Sequence, residues 1–132
     1  MKPYYSKKVI DHFLHPRNFG KIKNASGIGD TRNLRCGDVM KLYIKVEKNV
    51  ITDIKFETMG CGHAISISDI MCDLVKGKTV AQALKVDYND IIKELGQIPP
   101  AKVHCSYLAK SALRAAVEDY KKNVRHNKRK NK

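Results

Sequence analysis

Four cysteines, Cys36, Cys61, Cys72 and Cys105, are the residues of this chain best suited to chemistry. The chain starts Met1-Lys2-Pro3-Tyr4-Tyr5, without the apolar segment of a secretory signal, so its thiols are expected to be reduced and cytoplasmic. Metal binding or catalysis is then a better reading than disulfides. Cys36-Gly37-Asp38 and Gly60-Cys61-Gly62 set two of the thiols beside glycines, which let the backbone approach a bulky ligand and turn its N–H groups towards sulfur. Three thiolates leave one tetrahedral position open, and Asp38 and His104 are the candidates for it. Three cysteines with a weaker oxygen or nitrogen ligand suit an exchangeable metal better than a permanent one. No CxxC pair occurs, so spacing alone leaves open a metal or iron–sulfur site, or three ordinary buried cysteines. Cys72, between Met71 and Asp73 in an apolar segment, reads as core. His12 and His15 read as surface residues of a first helix, and His63 as a solvent-facing residue at a helix start.

The elements that must position these groups follow from periodicity. Val9, Ile10, Phe13 and Leu14 recur at helical spacing, with Ser6 as N-cap and Pro16 closing the segment. Residues 17–32 carry Gly20, Gly27 and Gly29 and show no clear period, which reads as loop or irregular extended chain. Leu42, Ile44 and Val46 alternate with Lys41, Tyr43 and Lys45, and Ile54 and Phe56 alternate with Asp53, Lys55 and Glu57, predicting a hairpin turned at Lys48-Asn49. Its two apolar faces coincide when Ile44 faces Ile54 and Leu42 faces Phe56, with a three-residue loop. Continued to the open end, that register sets Cys36 opposite Gly62, next to Cys61. Helices are predicted over 64–76, ended by Gly77, and over 80–84 and 88–95, capped by Thr79 and Asp87, the last one stopped by Gly96. Leu108, Ala109, Ala112, Leu113, Ala116, Val117 and Tyr120 form the longest amphipathic pattern, with Cys105 at its N-terminal end. Helix N-termini stabilise thiolates, so Cys61 and Cys105 are expected to be more acidic than ordinary thiols.

The chain has 132 residues, 42% hydrophobic and 30% charged, which as a whole suits one folded domain rather than a disordered chain or a membrane protein. Of its formal charge of +13, seven basic residues from Lys121 to Lys132, with no acid among them, supply about half. Nucleic-acid binding lacks a reading element: no basic helix is interleaved with aromatics and no zinc-finger spacing occurs. A solvated tail or a docking strip for an acidic partner accounts for the charge instead.

Several motifs together carry a resemblance. They are Asp11-His12-Phe13 followed by His15-Pro16-Arg17-Asn18, then Cys36-Gly37-Asp38, Met59-Gly60-Cys61-Gly62, Val75-Lys76-Gly77-Lys78, and Pro99-Pro100-Ala101-Lys102-Val103-His104-Cys105-Ser106. In that order and at that spacing the chain resembles the IscU-type iron–sulfur cluster assembly scaffolds, and within them the N-terminal domain of NifU, over roughly residues 4–122. The resemblance implies that Cys36, Cys61 and Cys105 hold a nascent 2Fe–2S cluster. It implies that Asp38 makes the cluster labile and joins the metal ligands in zinc-loaded forms, and that His104 can serve as the remaining ligand. Cys105 would accept persulfide sulfur from a cysteine desulfurase. Ile98-Pro99-Pro100-Ala101-Lys102 stands where the family has its Leu-Pro-Pro-Val-Lys loop, so Pro99, Pro100 and Lys102 imply a DnaK-type chaperone and its J-domain co-chaperone as partners. Apo iron–sulfur proteins would accept the cluster.

The departures from the family are His63, where a small residue is usual, and Ile65-Ser66-Ile67-Ser68-Asp69, which is less serine- and alanine-rich than usual. The insertion between the second and third cysteines that marks the zinc-dependent SufU branch is missing. The expected architecture is a two-layer α+β domain: a small antiparallel sheet of about three strands covered on one face by helices, the long C-terminal helix being its main packing partner. Residues 1–122 are expected to form the scaffold domain and 123–132 a basic, disordered tail. The expected role is assembly and sulfur acceptance rather than turnover catalysis, with iron and the cluster as cargo and zinc as the competing metal.

Overall fold

Alternating apolar residues dictate the centre of the domain. In the computed structural model, which describes residues 7–33, 38–59, 62–95 and 104–130, strands β1 (Gly27–Asn33), β2 (Asp38–Glu47) and β3 (Val50–Met59) form an antiparallel sheet in the order β1-β2-β3. Met40, Leu42 and Ile44 of β2 and Ile54 and Phe56 of β3 point to one face and are wholly buried. Around the sheet lie α1 (Lys7–Leu14), α2 (Gly62–Val75), α3 (Val80–Ala83), α4 (Tyr88–Leu95) and α5 (His104–Lys130). This is the expected α+β arrangement.

The hairpin register agrees with expectation from Val39–Met59 to Lys45–Asp53, including the Ile44–Ile54 and Leu42–Phe56 pairs. The ladder then slips at a bulge between Lys45 and Val46, so that Val46 faces Ile51 and Glu47 faces Val50. The turn therefore has two residues rather than three, with Lys48 and Asn49 both at positive φ, 52° and 66°. A two-residue hairpin requires that conformation, which Asn tolerates well. The bulge also reverses the parity of β3 and turns Ile51 into the core, where it is wholly buried. At the other end the described ladder stops at Val39–Met59 and Gly62 already belongs to α2, while residue 36, expected opposite it, lies outside the described residues.

Residues 27–33, expected to be irregular, form the edge strand β1. Its glycines have a packing role. A Cβ on Gly29 would lie 2.1 Å from the Ala112 carbonyl oxygen and 2.6 Å from the Ala116 nitrogen, and one on Gly27 would lie 2.2 Å from the Ala116 oxygen. Bare backbone lets α5 rest directly on the strand. Asp119 of α5 accepts a hydrogen bond from the Ile28 N–H at 2.9 Å, and the Asn123 amide donates to the Ser26 carbonyl at 3.0 Å. On the far edge, Phe19 bridges to Phe56, with Phe56 N–H donating to the Asn18 carbonyl and Gly20 N–H to the Phe56 carbonyl. Further along, Ile51 N–H donates to the Lys78 carbonyl and Gly77 N–H to the Ile51 carbonyl.

The caps behave as the sequence predicts. Thr79 and Gln82 form a capping box at α3, Asp87 accepts from the Asn89 and Asp90 N–H groups at α4, and Gly77 follows α2 at φ +88°. Ser6 and Gly96 lie outside the described residues. On α1, Ile10 and Leu14 are 44% and 60% exposed, so part of its apolar stripe faces solvent. The α5 backbone stays helical through Lys130, and the basic segment expected as a tail continues the helix over 123–130.

Tyr43 lies on the face of β2 away from the core, yet it is only 4% exposed, and its hydroxyl donates to Glu57 at 2.6 Å. Burial, the Glu57 bond and the charges of Glu57 and Asp30 push its pKa up from 10 to about 12. The folded state thus favours the neutral phenol. Its contribution is complete below pH 10 and disappears as pH rises towards 12. In denaturant titrations, the stability difference between wild type and Tyr43→Phe should stay constant up to about pH 9.5 and then shift against the wild type. A constant difference across that range would contradict the assignment.

Candidate metal centre

Of the four cysteines, the structure describes the side chain of Cys72. Cys72 is wholly buried in α2 amid Ile67, Ile70, Met71 and Val75. Burial above all, then the charges of Asp69 and Asp73, pushes its thiol well above the ordinary range. It is a core residue and remains a thiol.

For the remaining three, the structure describes the elements that flank them. Cys36 and Cys61 lie outside the described residues, as do Pro99, Pro100 and Lys102; of Asp38, His63, His104 and Cys105 only the backbone is described. Residues 34–37 join Asn33 to Asp38, which face each other across β1 and β2. Residues 60–61 join Met59, at the end of β3, to Gly62, the first residue of α2. Val39 pairs with Met59, so both connections leave the same end of the sheet.

The third cysteine lies in α5 itself. Ser26, Ile28 and Gly29 meet Asn123, Asp119 and Ala112 respectively, so α5 runs antiparallel to β1. From Ala112 back to Cys105 the helix advances ~10 Å, and from Gly29 to Asn33 the strand advances ~13 Å. The first turn of α5, which carries His104 and Cys105, thus points to the end where residues 34–37 and 60–61 leave the sheet. Cys105 lies one residue into its helix and Cys61 directly precedes α2, the helix starts the sequence called for.

A second cluster was not anticipated. His12 is buried, not on the surface, and its Nδ1 lies 2.5 Å from Oδ2 of Asp69, which is wholly buried. The other Asp69 oxygen accepts from the Asn18 backbone N–H at 2.9 Å and from its amide nitrogen at 3.0 Å. The same amide nitrogen donates to the Asp69 carbonyl and, at 2.9 Å, to Asp73. His12, Asp69 and Asp73 have the donor types and proximity to hold a cation. Every Asp69 oxygen is already hydrogen-bonded, however, so the group is a satisfied polar network joining α1, residue 18 and α2. The sequence signal was the Asp69 carboxylate within an otherwise apolar helical stripe, which requires a buried partner. His15, by contrast, is exposed as expected.

A two-layer domain whose sequence sets two cysteines between strands and helix at one end of its sheet, and a third in the helix turn that points there, belongs to the class of small metal- or cluster-handling domains. The chain is a member of the NifU-like N terminal domain family, whose model matches residues 4–127. It is 51% identical over 116 residues to "Iron-sulfur cluster assembly scaffold protein IscU 1" of Archaeoglobus fulgidus, covering 88% of this chain and 76% of that protein. To the scaffold protein IscU of Rickettsia prowazekii it is 48% identical over 129 residues, covering 95% and 97%. Among solved structures it resembles a candidate SUF-system iron–sulfur cluster assembly scaffold from Fervidobacterium islandicum, with TM-score 0.74, 29% identity, and 86% of this chain and 96% of that one covered. The N-terminal NifU-like protein of Brucella abortus shares the fold, with TM-score 0.71 at 18% identity, over 89% of this chain and 94% of that one. No helix among the described residues is long and apolar enough to cross a membrane.

Proposed function

We propose that this chain is a scaffold on which a transient 2Fe–2S cluster is assembled and from which it passes to acceptor proteins. The observation that carries the reading is that the residues flanking 34–37 and 60–61 lie at the end of the sheet to which the first turn of α5 points, in a chain about half identical to proteins named as such scaffolds. Cys36, Cys61 and Cys105 hold the iron, with Asp38 or His104 as the remaining ligand. An oxygen donor binds iron less firmly than a fourth thiolate and so favours release. The Cys105 thiolate attacks the outer sulfur of a persulfide on the cysteine desulfurase, taking that sulfur and freeing the desulfurase thiolate. Each sulfur then needs two electrons from a separate reductant before it bridges iron as sulfide. The protein holds and transfers its cargo and turns over no substrate of its own. Residues 1–122 suffice for this role, with 123–132 accessory; the reducing cytoplasm is the compartment it implies. A DnaK-type chaperone with its J-domain co-chaperone engages Pro99, Pro100 and Lys102.

Anaerobic reconstitution with ferrous iron, a cysteine desulfurase, cysteine and a reductant tests the assembly role. Wild type should gain the visible absorption of a cluster, Cys36→Ser, Cys61→Ser and Cys105→Ser should not, and Asp38→Ala should hold its cluster longer. Absence of that absorption in both wild type and Asp38→Ala would overturn the reading. The likeness to a SUF-system protein favours one alternative, a zinc-bound persulfide acceptor with the same three thiolates and Asp38 or His104 around zinc. Persulfide accumulating on Cys105 with no cluster would select it.

A further inference from the structure

Asn18 is 5% exposed and bonds to the chain on both sides of residues 60–61. Before them, its carbonyl accepts from Phe56 N–H at 2.9 Å, three residues ahead of the end of β3. After them, its backbone N–H and amide nitrogen hold Asp69, and the amide nitrogen also reaches Asp73, two to three turns into α2. The path from Phe56 along β3, through residues 60–61, down α2 to Asp69 and back through Asn18 is a closed ring. His12, on the second Asp69 oxygen, fixes the carboxylate within that ring. The strand and the helix on either side of residues 60–61 are thereby bridged by a single buried residue, through its backbone on the strand side and through backbone and side chain on the helix side.

We propose that Asn18 is a positioning residue for the junction between β3 and α2: it sets the spacing of the two elements between which Cys61 lies in the sequence. That Cys61 binds the cluster rests on the function proposed above; the clamp itself does not. Removing the Asn18 side chain leaves its backbone bonds to Phe56 and to the Asp69 carboxylate and removes the amide bonds to the Asp69 carboxylate, the Asp69 carbonyl and Asp73, which loosens the hold on α2.

The test is the alkylation rate of each cysteine in metal-free protein, followed by mass spectrometry with iodoacetamide. In Asn18→Ala, Cys61 should react roughly tenfold faster relative to Cys36 and Cys105, the scale of losing about one net hydrogen bond from a local opening equilibrium. Buried Cys72 should stay unreactive and serves as the internal reporter of global unfolding. Asp73→Ala, which removes one exposed partner and leaves the core intact, should give a smaller change of the same pattern. The proposal fails if all four thiols accelerate together in both variants, or if Cys61 does not change. Cluster lifetime after reconstitution separates the two readings. A shift confined to Cys61 with an unaltered lifetime sustains the clamp and removes Cys61 from the ligands.

Discussion

Gly29→Ala is expected to destabilise the protein by about 3 kcal/mol, the upper end of what overpacking does in a well-filled core. The added methyl would meet the Ala112 carbonyl oxygen at 2.1 Å and the Ala116 nitrogen at 2.6 Å. Both are helix backbone atoms and cannot rotate aside, so α5 must lift off β1 by about an ångström to restore van der Waals contact. The lift would pull Ala112, Leu113, Ala116 and Val117 away from the sheet and strain the Asp119 bond to Ile28. Urea titration should show the fall in midpoint with little change in slope. Gly20→Ala provides the contrast in space: its nearest neighbour would be the flexible Lys55 side chain at 3.7 Å, although its φ of +142° adds backbone strain. A loss below about 1 kcal/mol for Gly29→Ala would show that α5 does not bear on this strand as described.

The second large effect is expected at Asp69. Asp69→Ala removes the acceptor for His12 Nδ1 and for the Asn18 N–H in one change, together with one of the three acceptors of the Asn18 amide, in a site with no solvent access at Asp69. Each buried donor left without a partner costs about 1–3 kcal/mol, so a total near 3–5 kcal/mol follows, or a melting temperature lower by roughly 10–20 °C. His12→Ala should cost about half as much, because it leaves the Asn18 bonds in place. A double variant should fall well short of the sum of the single ones, since both act on one network. Additive losses would mean that His12 and Asp69 stabilise the fold independently.

Period-two and period-3.6 patterns, with Thr79, Asp87 and Gly77 as punctuation, were enough to read β2, β3, α2, α3, α4 and the core of α5 from residue types. The failures share a cause: each depends on a contact distant in sequence. Gly27 and Gly29 look like loop residues until α5 is known to lie against them. Thr52 gives no local sign of a bulge, yet the bulge is what turns Ile51 inward. His12 resembles a surface residue of an amphipathic helix because its partner stands 57 positions away. At the candidate centre, residue chemistry singled out Cys36, Cys61 and Cys105 from Cys72, since glycine and polar neighbours are poor company for a core thiol. That the first turn of α5 points to the end of the sheet holding Asn33, Asp38 and Met59 follows from the antiparallel run of α5 along β1, which periodicity cannot supply.

The treatment of the sheet edges bears on how partners can approach. Asp119 occupies the Ile28 N–H on one side, while residues 18–20 and 77–79 occupy positions at Phe56 and Ile51 on the other. Along those stretches a visiting protein finds no row of free peptide groups on which to extend the sheet, and neither does a second copy of the chain. Strand exchange and edge-to-edge aggregation are hindered by the same few contacts. A domain that must meet a donor and an acceptor in turn is thus left to recognise them through side chains and helix faces, contacts that can be made and broken without rearranging its ladder.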